Sequence, residues 1–271
     1  MQKTIFFLLT FVISNQVLTL SLPPLIGNDR VSEQNAEAPA QRFGNEMHNS
    51  FNHKMMKSLI IPYVEDLDTA DMEEAVRYFN RNKASCLIDQ ANWPDRFPYQ
   101  PECRFQIARS AGSLFIHYEV NEAYVKAVYG NDNESVWKDS CVEFFCRLPE
   151  QSGYFNFEFN CIGTCLAARR EGRTLNTERF SSEQFKQIKR YASLGNRPFD
   201  ERPSDGPWTL TVEIPFQLIG IHEGSLPAMI KGNFYKCADG TTRPHYLSWS
   251  PIATPQPDFH RPEYFGDLLL E

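Results

Sequence analysis

Two segments near the middle of the chain alternate apolar and polar side chains, and this pattern constrains the fold more than any other feature. Residues 137–147 read WKDSCVEFFCR, and residues 154–161 read YFNFEFNC. A repeat of two residues is typical of a β-strand that buries one face. Pro, Ser and Gly lie between the segments, at 149–153, where a turn is required. The sequence therefore predicts a β-hairpin.

The register of this hairpin follows from which side chains are apolar. If Val142 and Phe144 face the core, position 142 pairs with 159 and position 144 pairs with 157. This pairing sets Glu143 directly opposite Glu158 on the other face, with Asn160 beside them. Directly opposed Cβ atoms in such a ladder lie about 5 Å apart. The two carboxylates therefore need a counter-charge, a shared proton or a metal ion.

Three interpretations of the carboxylate pair remain open. In the first, an Arg or Lys neutralises the pair and the face is structural, with Arg169, Arg261 and Lys126 as candidates. In the second, the pair accepts hydrogen bonds from sugar hydroxyls, next to an indole on which a sugar ring can stack. In the third, it is the pair of a retaining glycosidase, whose carboxyls also lie about 5 Å apart.

Short strand-like segments separated by Gly, Pro and Asn recur along the rest of the chain, which is typical of an all-β fold. We expect an antiparallel β-sandwich, of the jelly-roll or immunoglobulin-like kind, with one or two short helices. One helix is predicted at 68–80, capped by Thr69 or Asp71, and 180–191 is predicted to be helical or irregular. Ordered structure is expected to begin near Met55, with 59–63. Further strands are predicted at 84–89, 104–108, 114–120, 208–214, 231–237, 246–250 and 267–270, with 164–169 as an extension of the hairpin.

The N-terminal residues have the pattern of an export signal. Lys3 precedes an apolar run at 5–13 that is too short to span a membrane, and small or polar residues follow. The sequence predicts a signal peptide at 1–21, a flexible leader at 22–54 and one domain at 55–271. The expected product is exported to a periplasmic or extracellular space without membrane insertion.

Charge and cysteine content narrow the possible partners. The net charge is −7 with no Lys or Arg run, which argues against nucleic acid as a partner. Seven cysteines leave at least one free thiol, and one or two disulfides can form, with Cys86 and Cys103 as a candidate pair. No Cys-x-x-Cys occurs and no His lies near the cysteines in sequence, so the cysteines give little indication of a metal site. No Gly-x-Ser-x-Gly, His-Glu-x-x-His, P-loop or dinucleotide motif is present.

Two separated motifs resemble the family 9 carbohydrate-binding modules. The first is WKDSCVE at 137–143 followed by YFNFEFN at 154–160, and the second is SWSP at 248–251 followed by PDFHRPEYFGDL at 257–268. From about residue 59 onward the chain is similar to the family 9-like proteins of exported bacterial polysaccharide-use systems. The resemblance implies a jelly-roll sandwich that holds a sugar between two aromatic rings, with structural Ca²⁺ in some members.

The resemblance also implies roles for individual residues. Trp137 matches the first stacking Trp, and Phe259 occupies the second stacking position, which is Trp in sugar-binding members. Glu143 matches a carboxylate that binds sugar hydroxyls, and Asn160 matches an amide on the next strand. Glu158 stands where the sugar-binding pattern has Arg, so the hydroxyl pattern that is recognised differs from the family's.

The expected function is noncatalytic binding of an oligosaccharide or polysaccharide. Arg261 is added to the site because it can supply the positive charge that Glu158 replaces, and Trp208 and Trp249 are assigned to the core. Two alternatives remain: a glycoside hydrolase that uses Glu143 and Glu158, and an accessory structural domain with a vestigial sugar site. The expected ligand-binding residues are Trp137, Glu143, Glu158, Asn160, Phe259 and Arg261.

Overall fold

A computed structural model describes residues 10–13, 16–19, 56–82, 84–222 and 224–271. These residues form short strands and a few helices. The α-helices are α1 (Met72–Arg81) and α2 (Ser182–Phe185). The strands are β1 (Thr10–Ile13), β2 (Gln16–Thr19), β3 (Ser58–Ile61), β4 (Cys86–Leu87), β5 (Glu102–Arg109), β6 (Ser113–Asn121), β7 (Tyr124–Ala127), β8 (Cys141–Arg147), β9 (Tyr154–Asn160), β10 (Cys165–Arg170), β11 (Glu178–Arg179), β12 (Lys189–Ala192), β13 (Phe199–Pro203), β14 (Trp208–Pro215), β15 (Met229–Cys237), β16 (Tyr246–Ser248) and β17 (Gly266–Leu270).

The chain divides into two compact units, Met1–Glu46 and Met47–Glu271. In the first unit, β1 and β2 pair antiparallel, with Thr10 opposite Thr19. The predicted signal peptide at 1–21 is described only at those two strands, and the predicted leader at 22–54 lies outside the described residues. Export of the chain therefore stays a prediction. None of the helices in the described part of the chain has the length and apolar character that crossing a membrane requires.

The second unit is the predicted β-sandwich. Its large sheet has the order β11-β10-β9-β8-β15-β17-β3, with β16 paired to β15, and its small sheet has the order β12-β14-β6-β5-β4. Strands β7 and β13 form a separate ribbon. Among the described residues, the named strands of this unit pair antiparallel except β17 with β3, which is parallel, and the isolated bridge between Tyr63 and Arg109 is also parallel. The fold class expected from the sequence is confirmed.

Apolar side chains from the facing sides of the two sheets form the core. Phe105 of the small sheet stacks on Phe234 of the large sheet with ring centroids 3.7 Å apart, and Phe144 stacks beside Phe234. Trp208 and Trp249 are buried in the same cluster, as predicted. Each such buried ring contributes roughly 1.5–3 kcal/mol through removal of apolar surface from water.

Helix α1 covers the outer face of the small sheet. Asp71 caps it in a capping box with Glu74, in which each side chain accepts from the other residue's backbone N–H. Ala75 and Phe79 are buried against Phe115 of β6. The predicted helix is thus confirmed, with Asp71 rather than Thr69 as its cap.

Loops rather than a helix cover the outer face of the large sheet, and polar side chains fix these loops. The Asn233 amide donates to Ser250 O at 3.0 Å and accepts from Ser250 N at 2.8 Å. Asn92 donates to Ser248 Oγ and accepts from Ile252 N. Both asparagines therefore hold the 248–252 segment against the sheet edge, where the site described below begins.

Several predicted elements differ from those of the structure. The 180–191 segment contains both α2 and the strand β12, and the predicted strand at 84–89 is only two residues long. All seven cysteines are free thiols, so the candidate pair Cys86 and Cys103 does not form a disulfide. The reason is register: Cys86 lies opposite Phe105, and Cys103 lies opposite Val120.

Candidate functional site

A cavity of about 500 Å³ lies on the outer face of the large sheet, under the loops. It combines aromatic, acidic and basic side chains, which is the mixture expected of a site for a polar ligand. The lining residues are Phe97, Trp137, Tyr246 and Phe259 (aromatic), Glu143, Glu158, Asp239 and Asp258 (acidic), Arg96, Arg170, Arg173 and Arg179 (basic), and Thr174, Cys237, Gln256, Pro257 and His260.

Two carboxylates from neighbouring strands form the floor of this cavity. Glu143 on β8 is directly opposite Glu158 on β9, and Val142 and Phe144 pair with the phenylalanines at 159 and 157. The register predicted from the sequence is therefore confirmed. The side chains are 3% and 4% exposed, so both carboxyls lie at the bottom of the cavity and not on an open surface.

Glu158 is supported by an arginine that sequence reasoning did not single out. Arg170 lies on β10, is buried, and donates from Nε to Asn156 Oδ1 at 2.7 Å. Asn156 in turn donates from Nδ2 to Glu158 Oε1 at 3.0 Å. Burial raises the pKa of Glu158 to about 7, although the Arg170 charge and the Asn156 hydrogen bond act in the opposite direction.

Glu143 lies among thiols instead of cations. The Cys237 thiol donates to Glu143 Oε1 at 3.1 Å, and the Cys141 Sγ atom lies 3.9 Å from the same oxygen. Burial, followed by the charge of Glu158, raises the pKa of Glu143 well above its usual range. Burial thus favours the neutral form of both carboxyls more than in an exposed glutamate, and a neutral carboxyl can donate a hydrogen bond as well as accept one.

Trp137 forms one wall of the cavity. It lies in a 3₁₀ helix, Val136–Lys138, whose Val136 side chain is fully buried. Asp139 ends this turn and fixes it, because its carboxylate accepts from Val128 N at 3.1 Å and from Tyr129 N at 3.0 Å. The indole is only partly buried and lines the cavity.

Phe259 lines the same cavity, but one face of its ring is already covered. The ring stacks on Tyr235 with centroids 4.2 Å apart and planes at 10°, and Trp93 and Tyr246 contact its sides. Phe259 is 8% exposed. Only its other face and its edge can contact a ligand, because the sheet residue Tyr235 packs directly beneath it.

The structure does not bring Asn160 to the cavity. Its Nδ2 donates to Tyr129 O at 2.8 Å and to Asp139 Oδ2 at 3.0 Å, and its Oδ1 accepts from Thr164 N at 2.9 Å. The side chain is fully buried, so its donors and acceptor are all used within the fold. The expectation that Asn160 binds a ligand is wrong: it orients the turn that carries Trp137.

Arg261 is also absent from the cavity lining. Its guanidinium contacts Glu263 at 2.7 Å and Asp258 at 3.8 Å. The charge near Glu158 comes instead from Arg170. The other two sequence candidates are also wrong, since Arg169 donates to Ser152 O and Lys126 donates to Gly240 O.

His260 lines the cavity next to Phe259. Its Nδ1 lies 2.9 Å from Tyr154 Oη, and burial lowers the pKa of His260 to about 3. The imidazole is therefore neutral at ordinary pH and can donate or accept a hydrogen bond.

The acidic segment at 131–134 uses its oxygens within the protein. The Asp132 carboxylate accepts from Cys165 N at 2.9 Å and from Arg190 at 2.7 Å, while Glu134 accepts from Asn131 N. A Ca²⁺ ion would compete with these donors, so the segment fits a structural turn better than a calcium loop.

Comparisons with known proteins agree on one family. The model of carbohydrate-binding family 9 matches residues 73–270. A candidate carbohydrate-binding protein from Bacteroides uniformis is 39% identical, with a TM-score of 0.74, and the match covers 80% of this chain and 100% of that one. No curated protein matches the chain.

A family 9 module from Caldicellulosiruptor kristjanssonii, solved with glucose and with cellotriose, is more distant. The two structures are 11% and 13% identical, with TM-scores of 0.44 and 0.46. Each match covers 79% of this chain, and the matches cover 96% and 94% of the modules.

Proposed function

The chain belongs to carbohydrate-binding family 9, and on this premise we propose that the cavity of its large sheet binds a saccharide without cleaving it. The observation that carries the proposal is the shared lining: the Trp137 indole, the Phe259 ring and the Glu143 and Glu158 carboxyls all border one space of about 500 Å³. Sugars have apolar C–H faces that stack on aromatic rings and hydroxyls that need donors and acceptors.

Trp137 provides the stacking surface in this proposal, because its indole is only partly buried. Tyr235 covers one face of the Phe259 ring. The other face and the edge of that ring form the opposite side of the proposed binding site. The carboxyls on the floor bind hydroxyls, since an ionised carboxyl accepts hydrogen bonds and a neutral one also donates. His260 adds a neutral donor or acceptor at the edge.

Four arginines distinguish the cavity from a purely neutral sugar site. Arg96, Arg173 and Arg179 are exposed at its border, and Arg170 is buried beside the floor. Guanidinium groups bind carboxylates and phosphates in a bidentate manner. The panel of ligands in any binding experiment should therefore contain uronic acids and sulfated sugars as well as neutral oligosaccharides.

The geometry of the floor favours binding over hydrolysis. A retaining glycosidase places its acid and its nucleophile about 5 Å apart on either side of the scissile bond. Glu143 and Glu158 extend from adjacent strands on the same face of one sheet, so both approach a ligand from below.

Calorimetric titration of the full chain with neutral and acidic mono- and oligosaccharides tests the proposal. We expect binding to at least one ligand, and an affinity at least about tenfold weaker, or about 1.4 kcal/mol, in Trp137→Ala. Tyr191→Ala, which removes an exposed aromatic ring from β12 outside the cavity, is the control and should bind like the wild type.

The outcomes separate the alternatives. An absence of heat with every ligand would support an accessory domain with a closed site, which the burial of Phe259 favours. Release of reducing ends from a polysaccharide, abolished by Glu143→Gln, would support the hydrolase. Unchanged affinity in Trp137→Ala would remove that residue from the site.

The proposed setting for this binding is outside the cytoplasm. The basis is the pattern at 1–21, where Lys3 precedes a short apolar run. N-terminal sequencing of the protein recovered from its cells should find a start between about residues 18 and 23. Recovery with an intact N-terminus would contradict export by a cleaved signal.

A further inference from the structure

Two cysteines and a carboxylate meet at the floor of the cavity, and we infer that Cys141, Glu143 and Cys237 form a site for a thiophilic divalent cation of the Zn²⁺ class. The two Sγ atoms and a Glu143 oxygen all lie within 4.8 Å of one another. All three side chains are buried. This inference does not depend on saccharide binding, because it concerns the metal alone.

The distances fit tetrahedral coordination with small adjustments. With zinc–sulfur bonds of about 2.3 Å and zinc–oxygen bonds of about 2.1 Å, a tetrahedral site separates sulfur from oxygen by about 3.6 Å. The observed distances from Glu143 Oε1 are 3.1 Å to Cys237 Sγ and 3.9 Å to Cys141 Sγ. They lie on either side of the expected value, so rotations of the side chains bring the three atoms into place.

The pairing of β8 with β15 brings the three ligand side chains together. Cys141 on β8 lies directly opposite Cys237 on β15, and Glu143 is two residues along β8 on the same face. The ligands therefore come from two hydrogen-bonded strands of a central part of the sheet. A rigid scaffold of this kind holds metal ligands more closely in position than loops do.

The chemistry of the ligand set selects the metal. Thiolates prefer Zn²⁺ and related borderline or soft ions, while Ca²⁺ and Mg²⁺ require oxygen ligands. Both thiols lose their protons on binding, and those protons pass to the solvent.

The cavity gives the ion access to the site and leaves a fourth coordination position open. Glu143 and Cys237 line it directly, so an ion reaches them without opening the core. Three protein ligands and a fourth position that faces a cavity are the arrangement of a zinc site open to an external ligand. Water, or the neighbouring Glu158, completes the coordination in the free protein.

Cobalt substitution tests the site directly. The reduced, chelator-treated full chain is titrated with Co²⁺ alone, and thiolate-to-cobalt charge transfer and the visible bands of tetrahedral cobalt are recorded. We expect one Co²⁺ per chain, displaced by one Zn²⁺. Cys141→Ser and Cys237→Ser should each lose most of the charge-transfer intensity, and Glu143→Gln should weaken Co²⁺ binding at least about tenfold with both thiols retained.

Cys146→Ser is the matched control, because Cys146 lies on the same strand but faces the core. It should bind Co²⁺ like the wild type, and circular dichroism checks that each variant is folded. The inference is overturned if the reduced wild type gives no thiolate-to-cobalt band, if the Cys141 and Cys237 variants keep it, or if peptide mapping finds these two cysteines joined in a disulfide in the purified protein.

Discussion

At the scale of single residues, two glutamates that face each other in the sheet have different neighbours. Glu143 and Glu158 are opposite each other, yet Glu158 has Asn156 and Arg170 nearby while Glu143 has two thiols. The pKa of both carboxyls is raised by burial. The two carboxyls therefore differ in their hydrogen-bond partners, although burial acts on both in the same direction.

A buried ion pair between β15 and the residue that follows β6 allows a test of how a buried charge affects stability. Lys236 Nζ lies 3.0 Å from Glu122 Oε2 with both side chains almost fully buried, and Trp208 Nε1 donates to Glu122 at 2.8 Å. Lys236→Met leaves a buried carboxylate without its cation, so we expect unfolding free energy to fall by about 3–5 kcal/mol in urea titrations.

The control for this variant is an exposed ion pair of the same kind. Lys186 and Glu183 lie 2.7 Å apart with side chains that are mostly exposed. Lys186→Met should change the unfolding free energy by less than about 1 kcal/mol. Equal losses in the two variants would show that Lys236 contributes no more than a surface charge.

At the scale of elements, the site depends on how loops are attached to the sheet. Asp139 fixes the turn that carries Trp137, and Tyr235 supports the loop that carries Phe259, donating from its hydroxyl to Phe259 O at 3.2 Å. The end of β15 also holds the first wall, because Cys237 Sγ lies 3.6 Å from Trp137 O and Asp239 N donates to the same carbonyl oxygen at 3.1 Å. Both walls therefore depend on β15.

The start of β17 depends on a close approach that only glycine allows. A Cβ atom on Gly266 would meet Lys57 O and the Trp249 ring. Gly266→Ala should therefore lower the unfolding free energy by about 1–3 kcal/mol, measured by urea unfolding. Gly112→Ala is the control, since nothing lies within 4 Å of a Cβ there, and a loss of similar size in both variants would contradict the account.

Local patterns explain which elements could be predicted. The alternation in β8 and β9 specifies their register, because a shift of one residue would expose Val142 and Phe144. The short strands β7 and β13 were missed, since they span only four and five residues and their pairing shifts register between Phe199 and Arg202. The 180–191 segment was ambiguous because a single helical turn and an edge strand follow each other.

The site was only partly predictable, for reasons of topology. Trp137, Glu143 and Glu158 fall within one hairpin, so their proximity follows from local register. Arg170 and Cys237 come from strands whose order in the sheet no local pattern specifies. The role of Asn160 was wrong because the acceptor that occupies its amide, Asp139, becomes apparent only once the turn is folded.

At the scale of the whole molecule, packing of the helix on the small sheet buries a histidine, and its burial makes the unfolding free energy depend on pH. His117 lies between the small sheet and α1, stacked on Phe79 at 5.6 Å, with Nδ1 2.8 Å from Thr211 Oγ1. Burial lowers the pKa of His117 to about 4. An unfolded histidine titrates near pH 6.5, so between pH 6.5 and 4 the unfolded chain binds a proton that the folded chain does not.

We therefore expect His117 to reduce stability as pH falls from 6.5 to 4, by up to about 3 kcal/mol, with no contribution above pH 7. Urea unfolding at a series of pH values measures this loss. His117→Gln should lessen the loss relative to the wild type, whereas replacing the exposed His222 by Gln should leave the slope unchanged. Parallel curves for His117→Gln and the wild type would contradict the assignment.

The central claim is that one cavity on the outer face of the large sheet holds the saccharide, and a crystal structure of the full chain with a bound oligosaccharide tests it most directly. The account predicts a sugar ring against the Trp137 indole, with Phe259 on the other side and hydroxyls within hydrogen-bond distance of Glu143 or Glu158. A sugar bound elsewhere on the surface, with this cavity filled by the protein's own side chains, would contradict it.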